Sequence, residues 1–275
     1  MKRVLTLQDF SCFGKCSLTV AMPVISAMGV ECVAVPSAIL STHTGQLGDV
    51  TVVEIESRID AILSHIKRLG VSFDVIYIGY LGTPGLVDIA SRLISSFKTE
   101  NTIVLLDPVM GDNGRLYSRF TGEYVEEIAS LASLSDYVLP NLTEAALLAD
   151  IEYAGEEVSG EYLERVFERL HDSYSTRFIV TGVCTGTGEI GAVFSASSNN
   201  ISRIYTTKRN PSGFHGAGDL FASVLAAGLA KGLSLSDTLA KSVDFVREAI
   251  DATVAAGTDE RYGLHFESCL GSLTV

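Results

Sequence analysis

Short apolar runs alternate with amphipathic stretches through most of this chain, and that alternation limits the possible folds more than any other feature. The runs at 3–9 (RVLTLQD), 73–79 (FDVIYIG) and 102–108 (TIVLLDP) have the length and composition of buried strands. The stretch at 53–70 instead places apolar side chains at helical spacing. Alternating strands and helices favour a mainly parallel sheet covered by helices on both faces. We therefore predict the α/β class, as a three-layer α/β/α sandwich.

The last third of the chain departs from this alternation. Two short apolar segments, 189–196 (EIGAVFSA) and 202–209 (SRIYTTKR), flank a polar turn and predict an antiparallel hairpin. Two helices are expected after it, at 216–231 and about 236–256. The sequence has no linker, low-complexity segment or fixed-period repeat, so we predict one domain over 1–275.

The segment at 17–29 (SLTVAMPVISAMG) is predicted to be a helix that follows the first strand. Ser17 is suited to the N-cap position, and Gly29 to the position just past the helix end. Pro23 would remove a hydrogen bond inside this helix. We therefore expect either a kink or a later start.

The charge balance narrows the classes of partner. The chain of 275 residues carries 33 acidic and 20 basic side chains, a net charge of −13. Such a surface is repelled by nucleic acid and by anionic membranes, so neither is expected as a partner. We find neither a secretory signal nor an apolar run long enough to span a membrane. Five scattered cysteines without a CxxC pair indicate reduced thiols, and we expect the cytoplasm.

The segment GFHGAGDLFAS, residues 213–223, is an unusual start for a helix because it is almost bare of side chains before Asp219. Such a loop exposes unpaired N–H groups at a helix N-terminus, so Gly216, Ala217 and Gly218 are predicted to form an anion site for phosphate. A fixed acid beside bound phosphate is unfavourable unless it accepts a proton from an attacking alcohol. Asp219 is the predicted base; the alternative is a glycine-rich turn with a capping acid.

Polar residues also follow two predicted strands at the same sheet edge. Asp107 comes at the end of 102–108, and Asn141 and Glu144 lie at a later strand-to-helix turn. Carboxylates at that edge are suited to Mg²⁺, which retains part of its water shell. The alternatives are that Asp107 only ends a strand before proline and that Thr143 or Asn141 only caps a helix. Neither a GxxxxGK[ST] loop nor a GxGxxG fingerprint is present.

Several longer stretches resemble the pyridoxal kinases of the ribokinase-like superfamily. They are DFSCFGKCSLTVAMPVISAMGV, LSTHTGQ, YIGYLG, LLDPVMGDNGRLY, YVLPNLTEA, FIVTGV and GFHGAGDLFAS, which run almost end to end. The resemblance implies a ribokinase-like fold and transfer of phosphate from ATP, with Mg²⁺, to the 5′-hydroxymethyl group of vitamin B6. The substrates would be pyridoxal, pyridoxamine and pyridoxine. It also implies a homodimer.

The resemblance assigns roles on the phosphate side of the site. It implies that Asp219 deprotonates the 5′-hydroxymethyl group and that the amides of 216–218 hold the transferred γ-phosphate. Asp107 and Glu144 match positions that govern Mg²⁺ and phosphate contacts. Thr181 matches a nucleotide-side position at the end of the IVTG strand. The predicted nucleotide site therefore consists of Asp107, Asn141, Glu144 and Thr181.

The same resemblance assigns a vitamer pocket to five residues, Asp9, His43, Thr44, Gly45 and Tyr80. Two of them depart from the family pattern. Asp9 stands where many relatives carry serine, so the contact to the ring is expected to differ. Gly45 replaces a larger polar residue. In the anion site, Ala217 replaces a commoner threonine, which removes a hydroxyl and no backbone N–H.

Two other functions compete with the B6 kinase. Kinases of the hydroxymethylpyrimidine of thiamine synthesis take a similar flat ring with a primary alcohol, but they usually carry a DPTGGAG-like segment where this chain has DFSCFGKCS. A non-catalytic binding protein on the same fold is the third hypothesis, and the acid at Asp219 argues against it. His215 is interpreted as a solvated loop residue, with a phosphate contact as the alternative.

Overall fold

A computed structural model describes residues 1–155, 157–184, 188–197, 200–208 and 214–274. Gly213, at the start of the glycine-rich segment, and the tip of the predicted hairpin lie outside these ranges. The strands are β1 (Arg3–Ser11), β2 (Glu31–Leu40), β3 (Val52–Glu54), β4 (Val75–Ile78), β5 (Ile103–Leu106), β6 (Gly111–Asp112), β7 (Arg115–Leu116), β8 (Tyr137–Val138), β9 (Arg177–Cys184), β10 (Glu189–Ser197) and β11 (Asn200–Lys208).

Eight α-helices lie between and after these strands in the described residues. They are α1 (Leu18–Ala27), α2 (Glu56–Arg68), α3 (Pro84–Phe97), α4 (Gly122–Ala132), α5 (Leu142–Leu148), α6 (Gly160–Ser173), α7 (Ala217–Lys231) and α8 (Leu235–Ala256). Two 3-10 helices follow, Glu260–Tyr262 and Glu267–Leu273. Pro84 occupies the first turn of α3, where its missing N–H costs nothing, and Thr83 caps that helix by accepting from the Leu86 N–H.

One nine-stranded sheet has the order β11-β10-β9-β8-β5-β4-β1-β2-β3. The six strands from β9 to β2 in this order pair in parallel, and the strands at the two edges pair antiparallel. The predicted hairpin is β10–β11. The carboxyl ends of the parallel strands share one edge of the sheet, which is where ligands bind in such folds.

Each face of the sheet carries its own apolar core. Helices α2 to α6 supply the side chains of one core, which includes the fully buried Leu5, Leu7 and Phe167. Helices α1, α7 and α8 supply the other, which includes Val4 and Leu225. Two helical layers around a mainly parallel sheet confirm the predicted α/β/α sandwich.

Local details differ from the sequence expectations at two places. Residues 53 and 54 were expected in a helix but lie in β3, which pairs with β2, so α2 begins only at Glu56. Ser17 occupies the N-cap position of α1 but its hydroxyl makes no cap hydrogen bond. The helix starts at Leu18 and contains Pro23. Among the described residues, no helix combines the length and the apolar character that crossing a bilayer needs.

Candidate active site

The predicted anion site lies at the start of helix α7, at the carboxyl edge of the sheet. Gly216 has φ +83°, in the left-handed region that favours glycine. A Cβ there would also lie 2.4 Å from the Lys15 carbonyl oxygen, so the neighbouring loop leaves no space for a side chain. No side chain in the described part of the chain caps α7. The first N–H groups of the helix are therefore available to an anion.

The Asp219 side chain stands at this helix start and is half-buried. Burial raises the pKa of its carboxyl from 3.8 to about 7, the backbone N–H of Ser17 donates to it and opposes the rise, and Asp9 adds to the rise. A carboxyl with a pKa near neutrality can both accept and release a proton under physiological conditions. Asp219 thus has the properties of a general base.

Asp107 faces the anion site from the end of β5. An ideal Cβ placed on Gly218 would have the Asp107 Oδ2 atom as its near neighbour, at 4.0 Å. Burial raises the pKa of Asp107 well above its usual range, and the carboxylates of Glu144 and Asp219 raise it further. The position is therefore more than a strand end before proline, because it brings a second carboxylate to the bare helix start.

Asn141 and Glu144 form a capping box at the start of α5. The Asn141 side chain accepts from the Glu144 N–H at 3.0 Å, and Glu144 Oε2 accepts from the Asn141 N–H at 2.9 Å. Glu144 Oε1 accepts from the Met110 N–H at 3.0 Å, and Asn141 Nδ2 donates to the Gly111 carbonyl at 2.8 Å. Burial raises the pKa of Glu144 to about 8. The structure therefore shows a structural role for both residues.

The start of α5 also holds the short hairpin β6–β7 at the carboxyl edge of the sheet. Besides the two contacts to Gly111 and Met110, the Gly114 N–H donates to Thr143 Oγ1 at 2.9 Å. Thr181 lies beside Asn141 in a parallel bridge, and its N–H donates to the Pro140 carbonyl at 2.9 Å. The predicted nucleotide-side residues thus lie next to one another.

Asp9 lies on the other side of Asp219 and is buried, with 4% of its surface exposed. Its two carboxylate oxygens accept from different hydroxyls, Ser17 Oγ at 2.5 Å and Ser11 Oγ at 2.8 Å. Burial raises the pKa of Asp9, and both serines oppose that rise. Tyr80 is half-buried, and burial raises the pKa of its hydroxyl, with Asp9 contributing to the rise and Arg119 opposing it.

His43 is buried, and both nitrogens of its ring are engaged by backbone. Nε2 contacts the Arg261 carbonyl at 2.6 Å, which assigns the proton to Nε2, and Nδ1 accepts from the Gly45 N–H at 2.9 Å. His43 would therefore meet a substrate through its ring face and not through a nitrogen. Thr44, between His43 and Gly45 in the sequence, is exposed.

His215 packs against the same segment, contrary to the expectation of a solvated residue. Its ring centroid lies 4.7 Å from that of His43, and burial, with His43, lowers its pKa. An ideal Cβ on Gly45 would lie 2.3 Å from His215 Cε1. The histidine ring thus occupies the space that the glycine leaves, which gives a structural reason for the absence of a larger residue at position 45.

Comparison with known protein families gives the same result as this geometry. The family described as phosphomethylpyrimidine kinase matches residues 21–263. The chain belongs to this family. The match includes the glycine-rich helix start at Gly216–Asp219.

Solved structures extend the similarity over the whole chain. A Bacteroides thetaiotaomicron protein, named as a candidate phosphomethylpyrimidine kinase and crystallised with pyridoxal, is 33% identical, with a TM-score of 0.91, over 100% of this chain and 96% of its own. A pyridoxal kinase from Lactobacillus plantarum is 29% identical, with a TM-score of 0.91, over 99% and 96%. A Leishmania donovani pyridoxal kinase in complex with ADP shares the fold at 20% identity, with a TM-score of 0.84 over 99% and 96%. These overlays confirm the predicted ribokinase-like fold.

Two residues of the site escaped the sequence analysis. Ser17 was considered only as a helix cap, whereas its hydroxyl donates to Asp9. The missing signal is tertiary, because a serine before a helix has the same sequence context whether it caps or not. His215 was assigned to solvent because its contacts with His43 and Gly45 join segments far apart in sequence.

Proposed function

We propose that this protein transfers phosphate from ATP to the 5′-hydroxymethyl group of vitamin B6, on a single domain that spans 1–275. The observation that carries the proposal is Asp219, a half-buried carboxyl whose pKa is raised to about 7, at the start of a helix with free N–H groups. The relatives support the substrates: one was crystallised with pyridoxal and another of the same fold with ADP.

The chemistry proposed for Asp219 is removal of the proton from the attacking hydroxymethyl group. Near neutral pH a useful fraction of the carboxyl is ionised, while its basicity stays high enough to accept a proton. The N–H groups of Ala217 and Gly218, after the left-handed Gly216, would receive the charge of the transferred phosphoryl group. Phosphoryl transfer depends mainly on such positioning and electrostatic stabilisation.

Magnesium is proposed to bind at Asp107. In the described residues, no three His, Cys, Asp or Glu side chains form a metal-binding group. Both oxygens of Glu144 already accept backbone N–H groups, so this residue would act through water. Mg²⁺ suits this arrangement, because it commonly uses one or two carboxylates, substrate phosphates and water. The bound ion would neutralise phosphate charge. Asn141 and Thr181 would border the nucleotide.

The vitamer is proposed to bind on the Asp9 side of Asp219. The two serine hydroxyls donate to the Asp9 carboxylate and so favour its ionised form, which can accept from an N–H or O–H group on the ring. Tyr80 and the ring face of His43 supply apolar surface for a flat substrate. The exposed Thr44 and the backbone of Gly45 would close the pocket.

Phosphorylation of hydroxymethylpyrimidine is the second candidate function. The description of the matching family names the phosphorylated form of that compound, which is the specific observation in its favour. Its substrate carries the same primary alcohol on a flat ring, so the same base and anion site would serve. The two activities therefore differ in ring recognition and not in chemistry.

A direct phosphate-transfer assay tests these functions. The purified protein is given MgATP with pyridoxal, pyridoxamine, pyridoxine or hydroxymethylpyrimidine, singly and in competition. We expect phosphorylated product with a B6 vitamer and a lower kcat/KM for the pyrimidine. Product from the pyrimidine alone would favour the second function. A folded protein that binds ATP and pyridoxal without making product with any compound would indicate a binding protein.

A homodimer and a cytoplasmic location complete the proposal. Ile39 and Val53, on the adjoining strands β2 and β3 at the sheet edge, expose 36% and 52% of their surface, which suits a contact with a second copy. Sedimentation equilibrium measures the mass of the assembly, and a monomer at all concentrations would contradict the dimer. The absence of a disulfide among the described cysteines supports a reducing compartment.

A further inference from the structure

We propose that His215 is a positioning residue that keeps the vitamer segment, residues 43–45, in register with the predicted anion site at 216–218. The inference rests on the proposed function, because it takes the first segment to bind the vitamer and the second to hold the phosphoryl group. Phosphoryl transfer requires the attacking oxygen and the phosphate to meet in a fixed geometry. His215 would set that geometry without touching either ligand.

The vitamer segment is fixed by hydrogen bonds that do not involve His215. The His43 ring donates from Nε2 to the Arg261 carbonyl at 2.6 Å, and the His43 N–H donates to the Phe13 carbonyl at 3.2 Å. Within the segment, the Gly45 N–H donates to His43 Nδ1 at 2.9 Å. The segment should therefore keep its shape, and its affinity for the vitamer, when the His215 side chain is removed.

The anion site packs against a different part of the chain. A Cβ on Gly216 would collide with the Lys15 carbonyl oxygen and would lie 3.8 Å from Cys16 Sγ. The start of α7 is thus fitted closely to the loop between β1 and α1. These contacts involve no residue of the vitamer segment, so they do not set the distance between the two sites.

His215 spans the space between the two sites. Its ring centroid lies 4.7 Å from that of His43, with the ring planes at 35°. A Cβ on Gly45 would lie within 2.8 Å of three atoms of the His215 ring, Cε1, Nε2 and Nδ1. The ring therefore rests on two residues of the vitamer segment, and a single peptide bond joins His215 to Gly216 of the anion site.

The ring of His215, and not its nitrogens, makes these contacts. Within the described part of the chain, neither ring nitrogen of His215 makes a hydrogen bond, whereas both nitrogens of His43 are engaged by backbone groups. Aromatic rings at this separation stabilise each other by packing. Phenylalanine, which has a planar ring without nitrogens, should therefore replace His215, and alanine should not.

Steady-state kinetics with pyridoxal and MgATP test this role in His215→Ala and His215→Phe. His215→Ala should lower kcat about 10-fold, because the anion site is no longer held against the vitamer segment. Its KM for pyridoxal should stay within about 2-fold, since the segment keeps its own hydrogen bonds. His215→Phe should keep kcat within about 3-fold of the wild type.

Two kinetic results would overturn the positioning role. One is a His215→Ala variant with wild-type kcat. The other is a folded His215→Phe variant as slow as His215→Ala, which would assign the effect to the ring nitrogens and hence to a direct contact with a ligand.

His171 provides a matched control for the loss of a packed histidine ring. It is half-buried in the last turn of α6, with its ring centroid 6.3 Å from that of Phe167, and α6 leads to the amino end of β9. His171→Ala and His215→Ala should both lower the unfolding temperature, but only His215→Ala should lower kcat. An equal loss of kcat in both variants would indicate a general loss of packing and would contradict positioning.

Crystal structures of the wild type, His215→Ala and His215→Phe without ligands test the inference independently of activity. After superposition of the sheets, the start of α7 should move about 1 Å relative to the vitamer segment in His215→Ala and keep its place in His215→Phe. An unmoved anion site in His215→Ala would overturn the inference. If the shift occurs but the wild type phosphorylates none of the compounds offered, the proposed function fails and the structural link stands.

Discussion

Replacing Asp219 by asparagine should remove activity and, at neutral to alkaline pH, stabilise the protein. Burial raises the pKa of this carboxyl from 3.8 to about 7, so the native state holds a proton that the unfolded chain has released. Stability therefore falls as pH rises from about 4 to 7, and the full cost is present above pH 7. At about 1.4 kcal/mol per pKa unit the shift corresponds to about 4 kcal/mol, and partial solvent exposure reduces it to about 2 kcal/mol.

The assay for this prediction is urea unfolding of the wild type and Asp219→Asn at pH 5 and pH 8, with phosphate transfer measured alongside. The variant should gain about 2 kcal/mol at pH 8 and less than about 1 kcal/mol at pH 5, since at pH 5 the native carboxyl is already protonated. Turnover should fall at least about 100-fold, with binding of pyridoxal and ATP largely retained.

Asp60→Asn serves as the control, because Asp60 is a surface carboxylate with 61% of its side chain exposed in an ion pair with Arg92. Its effect should stay within about 0.5 kcal/mol at both pH values. Two results would refute the reasoning for Asp219. One is a variant no more stable than the wild type at pH 8, and the other is a variant that turns over normally.

Three further predictions follow from the site. Gly216→Ala places a Cβ 2.4 Å from the Lys15 carbonyl at φ +83°, so turnover should fall at least about 10-fold and the melting temperature should drop, as thermal unfolding and the kinase assay will show. Gly45→Ala collides with the His215 ring at 2.3 Å and should raise KM for the vitamer, whereas adding His215→Ala should restore it; a double-mutant cycle with no coupling would contradict this contact. In the wild type, kcat/KM should rise with pH through about 7 as Asp219 loses its proton; a flat profile from pH 5 to 9 would argue against this base.

The sequence was sufficient for the architecture because the architecture depends on local patterns, and the same patterns predict Asp219 as the base. Alternating strands and amphipathic helices can bury their apolar faces only in a layered sheet, and the observed sheet is mainly parallel, as expected. A bare glycine loop before Asp219 exposes backbone N–H groups wherever it occurs, so the anion site could be predicted from the segment alone.

The local sequence was not sufficient to assign a role where the same residues fit two different structures. The sequence left open whether Asn141 borders a ligand or caps a helix, and the structure shows its capping box with Glu144 together with contacts to the hairpin β6–β7. Val53 was included in the helix predicted at 53–70, but its pairing with Ile39 of β2 places it in a strand. Pairing with a distant segment outweighs local propensity in such cases.

The tertiary structure alone decided how the charges at this site behave. Nothing in the sequence indicates that the Ser17 hydroxyl donates to Asp9, or that His215 fills the space beside Gly45, because each contact joins segments separated in the chain. The pKa of Asp219 likewise depends on burial and on neighbouring carboxylates, which exist only after the chain has folded. Sequence determined which groups were available for chemistry, and long-range packing determined their distances and their solvation.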